Sequence, residues 1–255
     1  MRGLNDKHVV VTGGGGGIGQ ALCRRFAEEG CAVGIIDINE EAAGRALDVV
    51  ERAGGRAVVN VVDIADYTAV AHAVGELESA LGPIDVLVNN AGWDKFANFL
   101  DTQPELWEQL IDINLRGPLN LHHVVLPGMV DRRSGRVVNI ASDAGRVGSS
   151  MESVYSACKG GIIAFTKTIA RELAREGICL NVVCPGPTET PLLHGFLGEG
   201  EVGAKVYQAL QRAIPMKRLG QPEDIPGVVA FLASHDAAFI TGQVISVSGG
   251  LTMHG

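Results

Sequence analysis

Lys7-His8-Val9-Val10-Val11-Thr12-Gly13-Gly14-Gly15-Gly16-Gly17-Ile18-Gly19 is the stretch that decides the fold. Lys7 to Thr12 is short, apolar and β-branched, as a buried strand is. Apolar residues then recur at helical spacing from Ile18 to Phe26, so the glycines lie between a strand and a helix. Consecutive glycines are costly to order. The reason for them is that backbone without Cβ lets a pyrophosphate approach the helix N-terminus, where free N–H groups and the helix dipole attract anions. A second strand, Ala32 to Ile36, ends in Asp37, near the expected offset of roughly 20 residues for an acid that holds an adenine ribose. A carboxylate accepts from both ribose hydroxyls and repels a 2′-phosphate, so Asp37 favours NAD over NADP. No Lys or Arg stands in the glycine loop, Ile38 follows Asp37, and Asn39 can cap the next helix in its place.

Working outward, strand and helix keep alternating. Asn39 to Ala53 reads as a helix, Arg56 to Val62 as a strand with Asp63 and Ile64 at its end to grip adenine, and Asp66 to Leu81 as a helix. Strand Ile84 to Val88 runs into Asn89-Asn90-Ala91-Gly92, small residues and amides suited to a strand end beneath a cofactor. Pro104 opens a helix to about Leu126; strand Arg136 to Ile140 leads to Ser142; after the loop Asp143 to Ser153 a helix continues to about Glu176. Strand Ile178 to Cys184 ends in Pro185-Gly186-Pro187-Thr188-Glu189-Thr190-Pro191, and Pro222 to Ser234 and Gln243 to Val247 give the last helix and strand. About seven such alternations predict an α/β, single-domain, Rossmann-type doubly wound parallel sheet over residues 1–255, with helices on both faces. Ligands of such sheets bind outside the carboxyl ends of the strands, where the glycine loop, Asp37, Asp63, Asn90, Ser142 and Thr188 all fall. The glycine-bearing insertion within about 190–218 reads as a substrate lid with a short helix from Glu201 to Arg212, or as a helical hairpin packed on the body.

Tyr155-Ser156-Ala157-Cys158-Lys159 places a phenol and an amine on one helix face. A phenol titrates near pH ~10 in isolation and transfers protons poorly at neutrality unless a fixed cation stabilises the phenolate. Lys159 can be that cation; neither Tyr67 nor Tyr207 has a lysine four residues on. Asn114, inside an apolar helix, needs buried partners, and either a structural hydrogen bond or a water relay accounts for it.

The net charge of −8 argues against a nucleic-acid or membrane-surface role. No stretch approaches the ~18 apolar residues of a membrane span, and the charged start lacks a signal peptide's apolar core, so a cytoplasmic protein is expected. The five cysteines lack metal-type spacing and read as reduced thiols, so no metal is expected.

These elements together resemble the short-chain dehydrogenase/reductase family over essentially the whole chain: Thr12-Gly13-x-x-x-Gly17-Ile18-Gly19, Asn89-Asn90-Ala91-Gly92, Asn114, Ser142, Tyr155-x-x-x-Lys159 and Pro185-Gly186, in the family's order. The resemblance implies an NAD(P)-dependent alcohol/ketone oxidoreductase, a homotetramer or dimer. In it Tyr155 is the acid/base, Lys159 lowers its pKa and holds the nicotinamide ribose, Ser142 orients the substrate oxygen and Asn114 holds a relay water. Cofactor contacts are expected from Gly13, Gly16, Gly17, Ile18, Gly19, Asp37, Asp63, Ile64, Asn90, Ala91, Gly92, Tyr155, Lys159, Pro185, Gly186, Thr188 and Thr190.

Asn89-Asn90-Ala91-Gly92-Trp93-Asp94, the run Asn139 to Ser150, Asn181 to Thr188 and the ending Ser246 to Met253 are similar, more narrowly, to the 2-hydroxycyclohexanecarboxyl-CoA dehydrogenases of aromatic and alicyclic acid degradation. That implies an acyl-CoA substrate. Its phosphates call for a basic rim, with Arg146, Lys95, Lys205, Arg212, Lys217 and Arg218 as candidates or as solvated surface charges. Trp93 and Phe96 line a ring pocket or pack in the core. The match departs in the lid. Rival readings are a 3-oxoacyl-thioester reductase, a 3-hydroxyacyl-CoA or polyol dehydrogenase, and, from another class, a non-catalytic NAD-sensing protein.

Overall fold

In the computed structural model, which describes residues 1–197 and 200–253, the strands are β1 (His8–Thr12), β2 (Ala32–Asp37), β3 (Arg56–Val61), β4 (Val86–Asn89), β5 (Gly135–Ile140), β6 (Ile178–Pro185) and β7 (Val244–Val247). They form one parallel sheet in the order β3-β2-β1-β4-β5-β6-β7. Chain order reverses between β1 and β4, which opens a crevice at their carboxyl ends.

Helices α1 (Gly17–Glu28), α2 (Glu40–Arg52), α3 (Tyr67–Leu81), α4 (Pro104–Ile111), α5 (Gly117–Asp131), α6 (Ala144–Val147), α7 (Ser153–Leu173), α8 (Pro191–Leu197), α9 (Glu201–Ala213) and α10 (Pro226–Ala233) complete the chain. The twofold period of the strands divides the core. Val9, Val11, Val33 and Ile35 pack with Leu22 and Phe26 of α1, Val50 of α2 and Val229 of α10. Val10, Ile36, Leu87 and Val137 point the other way, against Leu77 of α3 and Leu121 and Met129 of α5. Burial on both faces explains why these strands read as continuous apolar runs.

Three segments depart from the pattern expected of the sequence. The helix predicted from Pro104 to Leu126 is α4 and α5 joined by one π-helical turn, Asp112–Arg116, and it continues through Pro127 because fully buried Met129 anchors its last turns. The loop after Ser142 contains α6, too short to show a period. The predicted lid holds α8 and α9, joined to the turn before them: Tyr207 donates to Glu189, and His194 Nε2 lies 3.0 Å from the same carboxylate. Gly198 and Glu199, within that predicted lid, lie outside the described residues. Among the described residues no helix is long and apolar enough to cross a membrane.

Candidate active site

Each strand end contributes to one cavity of about 1410 Å³ at the crevice. The glycine loop is shaped by contacts that exclude any side chain. Gly13 has φ +62°, and a Cβ there would meet the Ala91 Cα at 2.7 Å; a Cβ on Gly19 would lie 2.0 Å from the Gly13 carbonyl oxygen. Gly16 and Gly17 face the cavity, and no side chain caps the N-terminus of α1. Uncapped N–H groups at the start of a 12-residue helix, on a backbone stripped of Cβ atoms, fit a pyrophosphate.

Asn90 supports that loop from β4: its Nδ2 donates to the carbonyls of Thr12 (3.1 Å) and Gly13 (3.0 Å). Thr12, which opens the glycine motif but was given no role from the sequence, accepts at Oγ1 from the Asn90 and Ala91 N–H groups, both at 3.1 Å. At the end of β2, Asp37 Oδ2 accepts from the Gly15 N–H (2.9 Å) and Oδ1 from the Asn39 N–H (3.0 Å). Asn39 caps α2 through Ala42 N–H at 2.8 Å, leaving the Asp37 carboxylate to the cavity. Arg45 also reaches this wall, though it pairs with Glu41 at 2.7 Å; nothing in the sequence around Asp37 signalled it. Asp63 and Ile64 lie on the wall, their turn fixed by Asn120 Nδ2 donating to the Ile64 carbonyl at 2.9 Å. Ala91, Gly92, Pro185, Gly186, Thr188 and Thr190 complete the stretch the sequence assigned to a dinucleotide.

Ser142, Tyr155 and Lys159 meet at the floor. The Ser142 hydroxyl hydrogen-bonds the Tyr155 hydroxyl and accepts from the Ala144 N–H at 3.1 Å. Lys159 is buried, donates to the Ile140 carbonyl at 3.0 Å, and holds its Nζ 5.6 Å from the centre of the Tyr155 ring. Burial lowers the Lys159 amine to about 8, against the raising pull of Cys158, Cys184 and Asp94. Burial, then Asp94 and Glu152, raises the Tyr155 phenol, while the Ser142 hydrogen bond lowers it. Cys158 lies one position away, buried, with its thiol pushed up by desolvation.

Asn114 sits in the π-helical turn, fully buried. Its Nδ2 donates to the Trp93 carbonyl (2.7 Å) and the Leu110 carbonyl (3.0 Å), and its Oδ1 accepts from the Trp93 N–H (3.2 Å). It is therefore a staple between the turn and the segment after β4. A Cβ on Gly92 would lie 3.1 Å from Asn114 Oδ1 and 3.2 Å from Lys159 Nζ, so the two groups border one point beneath the cavity.

Trp93 and Phe96 line the cavity, as do Leu192, Leu193, Val206 and Leu210 of α8 and α9. None of the basic residues named for a rim lines the cavity, whose basic side chains among the described residues are Arg45 and Lys159. Lys95 is exposed and outside the lining. Arg146 turns away to donate to Ser246 on β7 at 2.7 Å, drawn by the Asp143 carboxylate to which Ser246 in turn donates. Arg218 forks onto Asp224, Lys217 Nζ donates to the Arg212 carbonyl, and Arg212 Nε donates to the Gln208 carbonyl. Asp94 and Glu152, which the sequence reading did not single out as site residues, both reach the cavity.

A family model described as "Enoyl-(Acyl carrier protein) reductase" matches residues 13–252. The chain is 36% identical to a 3-oxoacyl-(acyl-carrier-protein) reductase of Thermotoga maritima, covering 98% of this chain and 99% of that one. It is equally 36% identical to the (2S)-((R)-hydroxy(phenyl)methyl)succinyl-CoA dehydrogenase subunit BbsD of Thauera aromatica, covering 98% of each. Among solved structures it superposes on levodione reductase with a TM-score of 0.94 at 32% identity, covering 96% of this chain and 97% of that chain. With a matching fold, a whole-length family match and these relatives, the chain belongs to the short-chain dehydrogenase/reductase family of nicotinamide-dependent oxidoreductases.

Proposed function

We propose that the chain oxidises a secondary alcohol to a ketone with NAD, its substrate being a hydroxyacyl-CoA thioester and, in the first instance, 2-hydroxycyclohexanecarboxyl-CoA. One observation carries the cofactor choice: the Asp37 carboxylate stands on the cavity wall, held by the Gly15 and Asn39 N–H groups, where it accepts ribose hydroxyls and repels a 2′-phosphate.

NAD would be held by the glycine loop, Asp37, Asp63, Ile64, Asn90, Pro185, Gly186, Thr188 and Thr190, and it supplies the hydride acceptor. Tyr155 takes the hydroxyl proton at its Oη while Ser142 donates to the developing alkoxide. A protonated Lys159, 5.6 Å from the ring centre, stabilises the phenolate. The proton leaves past Lys159 and Asn114 Oδ1 through a water beside Gly92. In balance, alcohol and NAD give ketone, NADH and one proton.

The substrate reading is supported by the apolar walls from Trp93, Phe96, α8 and α9, and by the CoA thioester in the name of the Thauera relative. In this reading α8 and α9 act as a lid, and the exposed Phe239 and Met253 are covered in a homotetramer that works in the cytoplasm. The opposite direction, reduction of a 3-oxoacyl thioester, is favoured by the Thermotoga relative.

The test is NADH formation from 2-hydroxycyclohexanecarboxyl-CoA, run beside 3-hydroxybutyryl-CoA and the free hydroxy acid, with NADP as control. Turnover of the cyclic thioester with NAD is expected, and Tyr155→Phe should abolish it while NAD still binds. Turnover with NADP only, or full activity in Tyr155→Phe, overturns the reading.

A further inference from the structure

Two helices supply one apolar wall of the cavity, and a single carboxylate outside the cavity holds both of them. Leu192 and Leu193 of α8 and Val206 and Leu210 of α9 face the cavity. Thr188 and Thr190, in the turn before α8, also line it, whereas Glu189 between them does not. Its Oε1 accepts from the Tyr207 hydroxyl of α9, and its Oε2 lies 3.0 Å from His194 Nε2 of α8. The Glu189 side chain is only 16% exposed, so water competes little for either bond. The bond to Glu189, more than burial, raises the Tyr207 phenol, and the hydroxyl stays a donor through neutrality.

Glu189 also stands at the neck of the insertion. Its N–H donates to the Gly220 carbonyl at 2.8 Å, and the Gly220 N–H donates to the Pro187 carbonyl at 2.9 Å. The chain therefore leaves for α8 and returns from α9 at one hydrogen-bonded point. Beyond that neck, α8 and α9 pack chiefly on each other among the helices and strands. The far end of α9 is anchored, because Ile214 is buried and the Met216 N–H donates to the Gly249 carbonyl at 3.1 Å. Tyr207 lies two helical turns before Ile214, about 10 Å along the axis. Glu189 thus supplies a second tether for the stretch that carries Val206 and Leu210.

We propose that Glu189 is a positioning residue for substrate selection. Through Tyr207 and His194 it fixes the apolar wall of α8 and α9 against the substrate, and so sets the preference for a bulky alicyclic acyl group over a short linear one. A ring buries more apolar surface on a fixed wall than a short chain does. The reacting atoms are held elsewhere, by Ser142 after β5 and by Tyr155 and Lys159 on α7, so the tether acts on substrate affinity and not on the chemical step. This inference rests on the dehydrogenase reading and assigns its substrate selectivity.

The full-length protein with NAD is assayed on 2-hydroxycyclohexanecarboxyl-CoA and 3-hydroxybutyryl-CoA. Tyr207→Phe should raise the KM of the cyclic thioester by about tenfold, the effect of one hydrogen bond to a carboxylate, and that of the linear one by less. The kcat and the KM for NAD should stay within about twofold of the unmodified values. Glu189→Ala should match or exceed this loss, and Glu189→Gln, which keeps an acceptor for Tyr207, should recover most of it. Unchanged selectivity in both Tyr207→Phe and Glu189→Ala overturns the proposal, as does a preference of the unmodified protein for the linear thioester. A fall in kcat and in NAD affinity as large as the rise in KM marks general damage and overturns it too. If the unmodified protein oxidises neither thioester, the substrate reading fails instead. The tether is then read by hydrogen exchange: amides of residues 203–213 should exchange about tenfold faster in Tyr207→Phe, and equal exchange overturns it.

Discussion

Replacing Asn114 by Ala removes one side chain and takes a partner from three backbone groups, of which the Leu110 carbonyl keeps a weak donor in the Cys158 thiol at 3.8 Å. The carbonyls of Trp93 and Leu110 lose their Nδ2 donors at 2.7 and 3.0 Å, and the Trp93 N–H loses its acceptor at 3.2 Å. Asn114 is fully buried, so water does not replace these partners without entering the space the side chain leaves. Each unsatisfied buried group costs about 1–3 kcal/mol, and relaxation of the turn makes the costs less than additive, so about 3 kcal/mol is expected for the set. For a chain of this size that lowers Tm by about 6–12 °C. Differential scanning calorimetry reads the shift, and the ratio of kcat to that of the unmodified enzyme, measured well below either Tm, reads any separate effect on the proton path. A Tm within about 1 °C of the unmodified protein, accompanied by lost activity, would refute the staple and leave only a relay role.

Asp37→Asn should weaken NAD and strengthen NADP, because it removes the charge that opposes a 2′-phosphate and sets an amide against the Gly15 or Asn39 N–H; dissociation constants from NADH and NADPH fluorescence titrations check both changes. Asp94→Asn should alter stability with a defined sign. A carboxyl raised from 3.8 to about 7 binds more protons folded than unfolded across that window, so its stabilisation is complete below pH ~4 and lost as pH rises through ~7. The variant should therefore gain on the unmodified protein in Tm between pH ~4 and ~7, and a constant difference refutes the coupling. Gly92→Ala should lower kcat more than it raises KM, since its Cβ would crowd Asn114 Oδ1 at 3.1 Å and Lys159 Nζ at 3.2 Å; unchanged steady-state kinetics would show that this point is not used.

What the sequence disclosed was whatever depends on neighbours along the chain. The glycine loop, the acid at the end of β2 and the Tyr155–Lys159 spacing are local patterns with local physical causes, and each lies where its pattern placed it. The π-helical turn escaped notice because one extra residue in a helix leaves the apolar period nearly intact. Arg45, Asp94 and Glu152 escaped because they join the cavity only through folding. The place of Arg146 is likewise decided by folding: it donates to Ser246 on β7, whose hydroxyl donates to Asp143, the residue that precedes Arg146's own short helix.

That last contact ties together parts of the chain that lie far apart in sequence. Asp143, next to Ser142, takes a hydrogen bond from Ser246, so the turn that carries Ser142 is braced by β7. The Gly186 N–H to Val247 carbonyl bond closes β6 against the same strand. A change in β7 is thereby felt at the turns after β5 and β6, while the glycine loop after β1 is held by other contacts.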